Sequence, residues 1–303
     1  VILLLVSALG LALFLWPFLG VGLPAATPAL AIGVGAASGL LCLELGTRRM
    51  DSRQLALLAA LSAADAALRA ALVTGIGGFS PIFLLVLCGG YALGPTFGFL
   101  LGASSLLVSA LITGGMGPWV PYQLFAVGWV GMAAGMVGLL RAGHRPTWVD
   151  VGLLGALGAL SGFGFGAVMD VWNWTFYPAV PQLGWSAALP PLTAVIHFAK
   201  YYLVTSLGYD AFRAAGNLLM VAAFGLPVLA GLRRLARRFQ TRWLPVIPAA
   251  GTESAEATND VATRHLVVPA LLAAVDRGPG ESGEAGGRVG QVPHQPDQAP
   301  GKA

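Results

Sequence analysis

LCGGYALGPTFGFLLGASSLLVSALITGGMGPWVPYQLFAVGWVGMAAG, residues 87 to 135, holds the choice of fold in miniature. Two apolar runs flank a turn containing Gly114, Gly115, Gly117, Pro118, Trp119, Pro121 and Tyr122, and no charged residue. Each run approaches the roughly 20 residues that a helix needs to cross about 30 Å of hydrocarbon. The glycines permit tight backbone turns and the prolines stiffen them. The stretch therefore reads as helix, rigid aromatic loop, helix. The short alternating segments of an outer-membrane barrel are missing.

The same pattern runs outward in both directions. The 303-residue chain is 56% hydrophobic and 10% charged, with a mean hydropathy of +0.77. Soluble domains carry about 25% charged residues, so the composition implies an all-α polytopic membrane protein. Cys42 and Cys88 both lie in apolar stretches and form no metal motif. The basic residues gather at helix ends, where the positive-inside rule operates, so nucleic acid is not an expected partner and the lipid bilayer is.

Residues 1–47 read as two spanning helices, 2–20 and 26–45. Ala29-Leu30-Ala31 resembles a signal-cleavage site, but the basic leader is missing and a second apolar run follows at once. Arg48, Arg49 and Arg53 mark a cytoplasmic loop. Residues 54–238 form the core: an outward span over 54–76, then a short piece over 81–91 broken by Gly89, Gly90, Gly94 and Pro95. Helices are expected over 96–112, 122–141 and 149–169, followed by a second external aromatic loop, DVWNWTFYPAVPQLGW, at 170–185. Two pieces, 190–208 and 211–232, are split at Gly208-Tyr209-Asp210, and Arg233, Arg234, Arg237 and Arg238 follow. Keeping that cluster cytoplasmic makes the first piece re-entrant or external-side and the second the last crossing, with Asp210 as its N-cap. Residues 245–303 read as a disordered cytoplasmic tail. Both termini are then cytoplasmic and the chain is a multi-pass protein of the cell membrane.

The motif for ATP hydrolysis, GxxxxGK[ST], is absent, as are HExxH and paired Cys or His sets, so neither a metal nor another cofactor is expected. Ser104 or Ser105 with His197 is a weak intramembrane serine-hydrolase pattern, and Gly-Ala-Ser runs are common packing devices in membranes. Asp65 and Arg69, four apart on one helix, either pair with each other or leave Arg69 to reach a binding cavity. His197 and Lys200 share a helical face and Tyr201 and Tyr202 follow. Trp119, Tyr122 and Gln123 from one loop, and Trp172, Asn173, Trp174 and Tyr177 from the other, either anchor at the interface or line a pocket for a planar ligand. Ala59, Ala63, Ala67 and Ala71 form a stripe, flanked by Ala56, Ala60 and Ala64, that serves internal packing or docking onto a partner.

With these stretches in view, the chain resembles the substrate-binding S component of an energy-coupling factor (ECF) vitamin transporter. The resemblance rests on ALLAALSAADAALRAAL, on the glycine-proline joint and GPW loop of residues 87–135, and on HFAKYYLVTSLGYDAFRAAGNLLMVAAFGLPVLAGLRR, over a six-helix core spanning about 54–238. It implies capture of a vitamin or related micronutrient at the outer face. Hand-over would follow to a coupling transmembrane subunit bound to two ATPase subunits. It implies docking through Ala59, Ala63, Ala67 and Ala71, and a pocket near Arg69, Trp119, Tyr122, Gln123, Trp172, Asn173, Trp174, Tyr177, His197, Lys200 and Tyr201. Two extra N-terminal helices and the long tail depart from the family pattern. Cobalamin or another corrinoid, riboflavin and thiamine all fit loosely, and the long loop after 170 leans to a corrinoid. The rival readings are a membrane scaffold without a small-molecule substrate and the serine hydrolase.

Overall fold

A computed structural model describes residues 2–18, single positions between 35 and 43, and residues 50–71, 82–177 and 180–240. Among these there are eight α-helices and no strand. They are α1 (Ile2–Leu15, followed by a 3-10 turn, Trp16–Phe18), α2 (Ser52–Ala71), α3 (Ile82–Leu93) and α4 (Pro95–Ile112). The remainder are α5 (Val120–Leu140), α6 (Trp148–Trp174), α7 (Pro191–Thr205) and α8 (Leu207–Gln240). Five of them, α2, α4, α5, α6 and α8, are long and apolar enough to cross a membrane. The chain is an all-α polytopic membrane protein. Most of the helix expected over 26–45, the Ala29-Leu30-Ala31 site, Cys42, Arg48, Arg49 and the tail from 245 lie outside the described residues.

Glycine governs how these helices meet. Gly94 is the whole connection between α3 and α4, at φ +101°, a conformation that favours glycine, and Pro95 opens the next helix. Gly89 and Gly90, read from sequence as breaks together with Gly94, lie inside α3 instead. Their role is contact: a Cβ on Gly90 would fall on the carbonyl of Gly131, and one on Gly98 would lie 2.7 Å from the Cα of Gly90. Three helix backbones, from α3, α4 and α5, therefore converge on one point. Gly102 meets Val127 and Gly135 meets Pro95 along the same faces. Small residues at such crossings let dispersion act between backbones, which replaces the hydrophobic force that lipid cannot supply.

A second seam joins α6 to α8. Gly155 faces Leu218, Gly158 faces Asn217, Gly162 faces Ala214 and Gly166 faces Asp210, an antiparallel register in which one number rises as the other falls. Asn217 Nδ2 donates to the Gly158 carbonyl at 2.9 Å. The break expected at Gly208-Tyr209-Asp210 falls earlier, at Ser206. Thr205 Oγ1 turns back to the Tyr201 carbonyl at 2.8 Å, which competes with continuation of the helix. Asp210 consequently sits inside the first turn of α8 and is not its N-cap. Helix α6 also runs five residues past its expected end, so Asp170 to Trp174 are helical and not loop.

The two ends of the bundle differ. At the basic end Asp150 is fully buried and fully engaged. Tyr91 donates to it, Arg141 Nε lies 3.2 Å from it, and the Thr147 backbone and hydroxyl bond it at 2.6 and 2.8 Å in a capping box. Arg233 lies over the Tyr91 ring at 4.9 Å and donates to the carbonyls of Arg141 and His144. The other end is aromatic, and α7 packs across it.

Replacing Gly131 by Ala should cost about 2 kcal/mol, because the new methyl meets the backbone of Gly98 and neither helix can yield without shifting its partner. Gly164→Ala, on the same bundle but facing open space, should be neutral or stabilising by up to about 1 kcal/mol. Thermal unfolding of the two variants in one detergent measures the difference.

Candidate functional site

The aromatic end is built from the last turn of α6, the start of α5, α7 and the N-terminal α1. Trp119 precedes α5, is 37% exposed, and its Nε1 donates to the Gly115 carbonyl at 3.2 Å. Its ring lies 6.0 Å from Trp172, which in turn lies 6.1 Å from Tyr122 and 4.7 Å from Phe176. Trp174 is completely buried, its Nε1 donating to the Leu183 carbonyl at 2.6 Å. Tyr177, at the surface, lies 5.3 Å from the buried Tyr201. The two stretches singled out in sequence therefore do converge.

What fills the space between them is the protein itself. Phe14 meets Tyr122 at 5.1 Å, and Phe18 meets both Trp174 at 5.8 Å and Phe198 at 5.7 Å. Trp16 packs on Trp185, whose Nε1 donates to the Pro17 carbonyl at 3.0 Å. The end of α1 and its 3-10 turn thus plug the aromatic cluster, a role that local sequence pattern could not reveal. Lys200 points away: it is exposed, whereas His197 is half-buried with Nδ1 donating to the Gly184 carbonyl at 3.1 Å. Gln123 and Asn173 are half-buried on α5 and α6.

The polar residues of α2 also behave differently from their spacing. Among the described residues only Arg141–Asp150 and Arg213–Asp210 form ion pairs, so Asp65 and Arg69 do not close on each other. Asp65 is fully buried, both its oxygens lack a hydrogen-bond partner, and Ser105 of α4 faces it. Nη1 of Arg69 and the hydroxyls of Ser105 and Ser109 are likewise buried and unpartnered. Ser104 has other engagements, to Ser62 at 2.6 Å and to the Leu100 carbonyl at 2.6 Å.

Opposite that polar face, Ala59, Ala63, Ala67 and Ala71 are all exposed, as are Ala56, Ala60 and Ala64. Helix α2 packs inward through Leu58, Ser62, Asp65 and Ala66, and the stripe lies on its exposed side.

A third polar group brings together residues that the sequence did not connect. Asp170 near the end of α6 and Asp210 with Arg213 at the start of α8 are buried together, and Tyr202 and Ser206 face them. An isolated Asp near each end of an apolar run is the signal that pointed to it.

Asp150→Asn should lose about 3 kcal/mol, since it strips a fully bonded buried carboxylate of its pairing. Asp65→Asn, which breaks no ion pair, should cost less than Asp150→Asn. Parallel thermal scans decide both. Compared with models of known families, with characterised proteins and with solved structures, the chain matches none of them.

Proposed function

We propose that this chain is the substrate-capture subunit of an ECF-type importer, binding a vitamin or related micronutrient from outside and passing it to an ATP-driven coupling module. The observation that carries the reading is the face of α2: seven of the nine alanines between Ala56 and Ala71 are exposed, on a helix whose opposite face, Ala66 included, is buried. A face of methyl groups loses almost no side-chain entropy on docking and lets a second helix approach closely. The chain carries no ATP-hydrolysing motif, so in this reading the motor is a separate partner.

The arginine-rich end, with Arg141, Arg145, Arg233, Arg234, Arg237 and Arg238, faces the cytoplasm in this proposal. The aromatic end then faces outward, with Trp119 and Tyr177 at the mouth. A ring-bearing ligand reaches the deeper Tyr122 and Trp174 by displacing Phe14 and Phe18 from them. Aromatic faces exchange one ring partner for another at small net cost, which suits a site that must close in both states. The Trp185 bond to the Pro17 carbonyl is the latch on that movement.

Native mass spectrometry of the chain in mild detergent, with a panel of vitamins, tests capture; co-purification of the coupling subunit and ATPases tests hand-over. Ala63→Phe should abolish co-purification and leave ligand retention unchanged, while Trp172→Ala should lower ligand retention at least tenfold and leave assembly intact. A chain that assembles normally and retains no ligand from the panel is a scaffold, and the capture reading fails.

A further inference from the structure

Where α6 ends and α8 begins, two carboxylates share one guanidinium. Asp170 and Asp210 are 7% and 1% exposed. Arg213 is committed: it pairs with Asp210 Oδ1, donates to the Gly162 carbonyl at 3.3 Å, and covers the Phe165 ring at 5.2 Å. The second oxygens, Oδ2 of Asp170 and Oδ2 of Asp210, are buried and have no hydrogen-bond partner. One negative charge is therefore left over inside an apolar bundle. Asp170 also lies in the last turns of a 27-residue helix, where the helix dipole adds to the negative potential. A buried unpaired carboxylate is costly, and a positive charge beside it removes the cost.

The groups around these carboxylates are oxygen donors. Ser206 and Asn173 face Asp170, and Tyr202 faces Asp210. Tyr201 lies within electrostatic reach of Asp170. No group of three His, Cys, Asp or Glu side chains gathers among the described residues, so the soft or highly charged sets preferred by transition metals are missing. Two carboxylates less one guanidinium leave a single net charge, which matches a monovalent ion and not a divalent one. The helix break at Ser206 lies beside the site. Gly166 lets the Asp210 carboxylate pack against α6, where any side chain would overlap it.

We propose that Asp170, Asp210 and Ser206, with Tyr202 and Asn173 completing the oxygen set, form a binding site for a hard monovalent cation, with sodium as the probe ion. The proposal goes beyond substrate capture and does not need it, because the ion binds a chain that has no other ligand.

The test is thermal unfolding of the purified full chain, at constant ionic strength, as sodium chloride replaces choline chloride. Wild type should gain about 5 °C, saturably, once sodium exceeds its Kd a hundredfold. Asp170→Asn removes the charge that sodium balances, so it should ignore sodium and unfold near the sodium-loaded wild type. Asp210→Asn would strip Arg213 of its partner and risks misfolding. Ser206→Ala, which keeps both carboxylates and the ion pair, is therefore the second variant and should weaken sodium binding about tenfold. Coincident wild-type curves in sodium and choline would overturn the proposal. So would a sodium gain that persists in Asp170→Asn, or a gain in choline that follows acidification alone, which would make the pair a proton carrier.

Discussion

Helix backbones touch in this bundle, and the rest of the structure follows from that contact. Lipid offers no hydrophobic force to press helices together, so their association relies on close packing and on hydrogen bonds. At Gly90, Gly98 and Gly131 the packing reaches its limit, with carbonyl and Cα atoms meeting where side chains would stand in a soluble protein. The α6–α8 seam is equally tight and sets the register of the last helix. That register delivers Asn217 to the Gly158 carbonyl and places Asp210 in the gap above Gly166.

The polar groups divide the molecule into a settled end and an unsettled one. Around Asp150, every strong donor and acceptor has a partner, and four helices are tied through Tyr91, Arg141, Thr147 and Arg233. Toward the aromatic end, Asp65, Arg69, Ser105, Asp170 and Asp210 all keep buried atoms without partners. Such atoms are expensive inside a bundle. The rings that surround them contact one another edge-on or tilted, and the N-terminal segment completes their packing.

Helix positions were readable because the bilayer forces every spanning segment to satisfy its own backbone, which leaves long apolar runs as a plain signature. The alanine face of α2 was readable for a similar reason, since residues four apart share a side of a helix. Other features were hidden by their non-local origin. Gly90 and Gly94 look alike in sequence, yet one is a contact and the other a turn at φ +101°. The four-residue spacing of Asp65 and Arg69 permits a pair, yet they form none, and Ser105 of another helix faces the carboxylate. The capping box at Thr147 and Asp150 is a local pattern; that Tyr91 and Arg233 would arrive from distant parts of the chain is not. Phe14 and Phe18 enter the aromatic end across more than a hundred residues of chain, and no periodicity announces them.

The single-residue joint at Gly94 bears on how the protein reaches its membrane. Helix α3 has 12 residues, about 18 Å of helix, and falls well short of the hydrocarbon thickness. A segment so short has little reason to leave the insertion channel sideways on its own account. Tied by one residue to α4, it has to partition with that helix as a hairpin, and Gly131 of α5 completes the contact that Gly90 and Gly98 begin. Residues 82–140 are thus one unit of insertion as well as of packing, and the chain commits to lipid there in a single cooperative step.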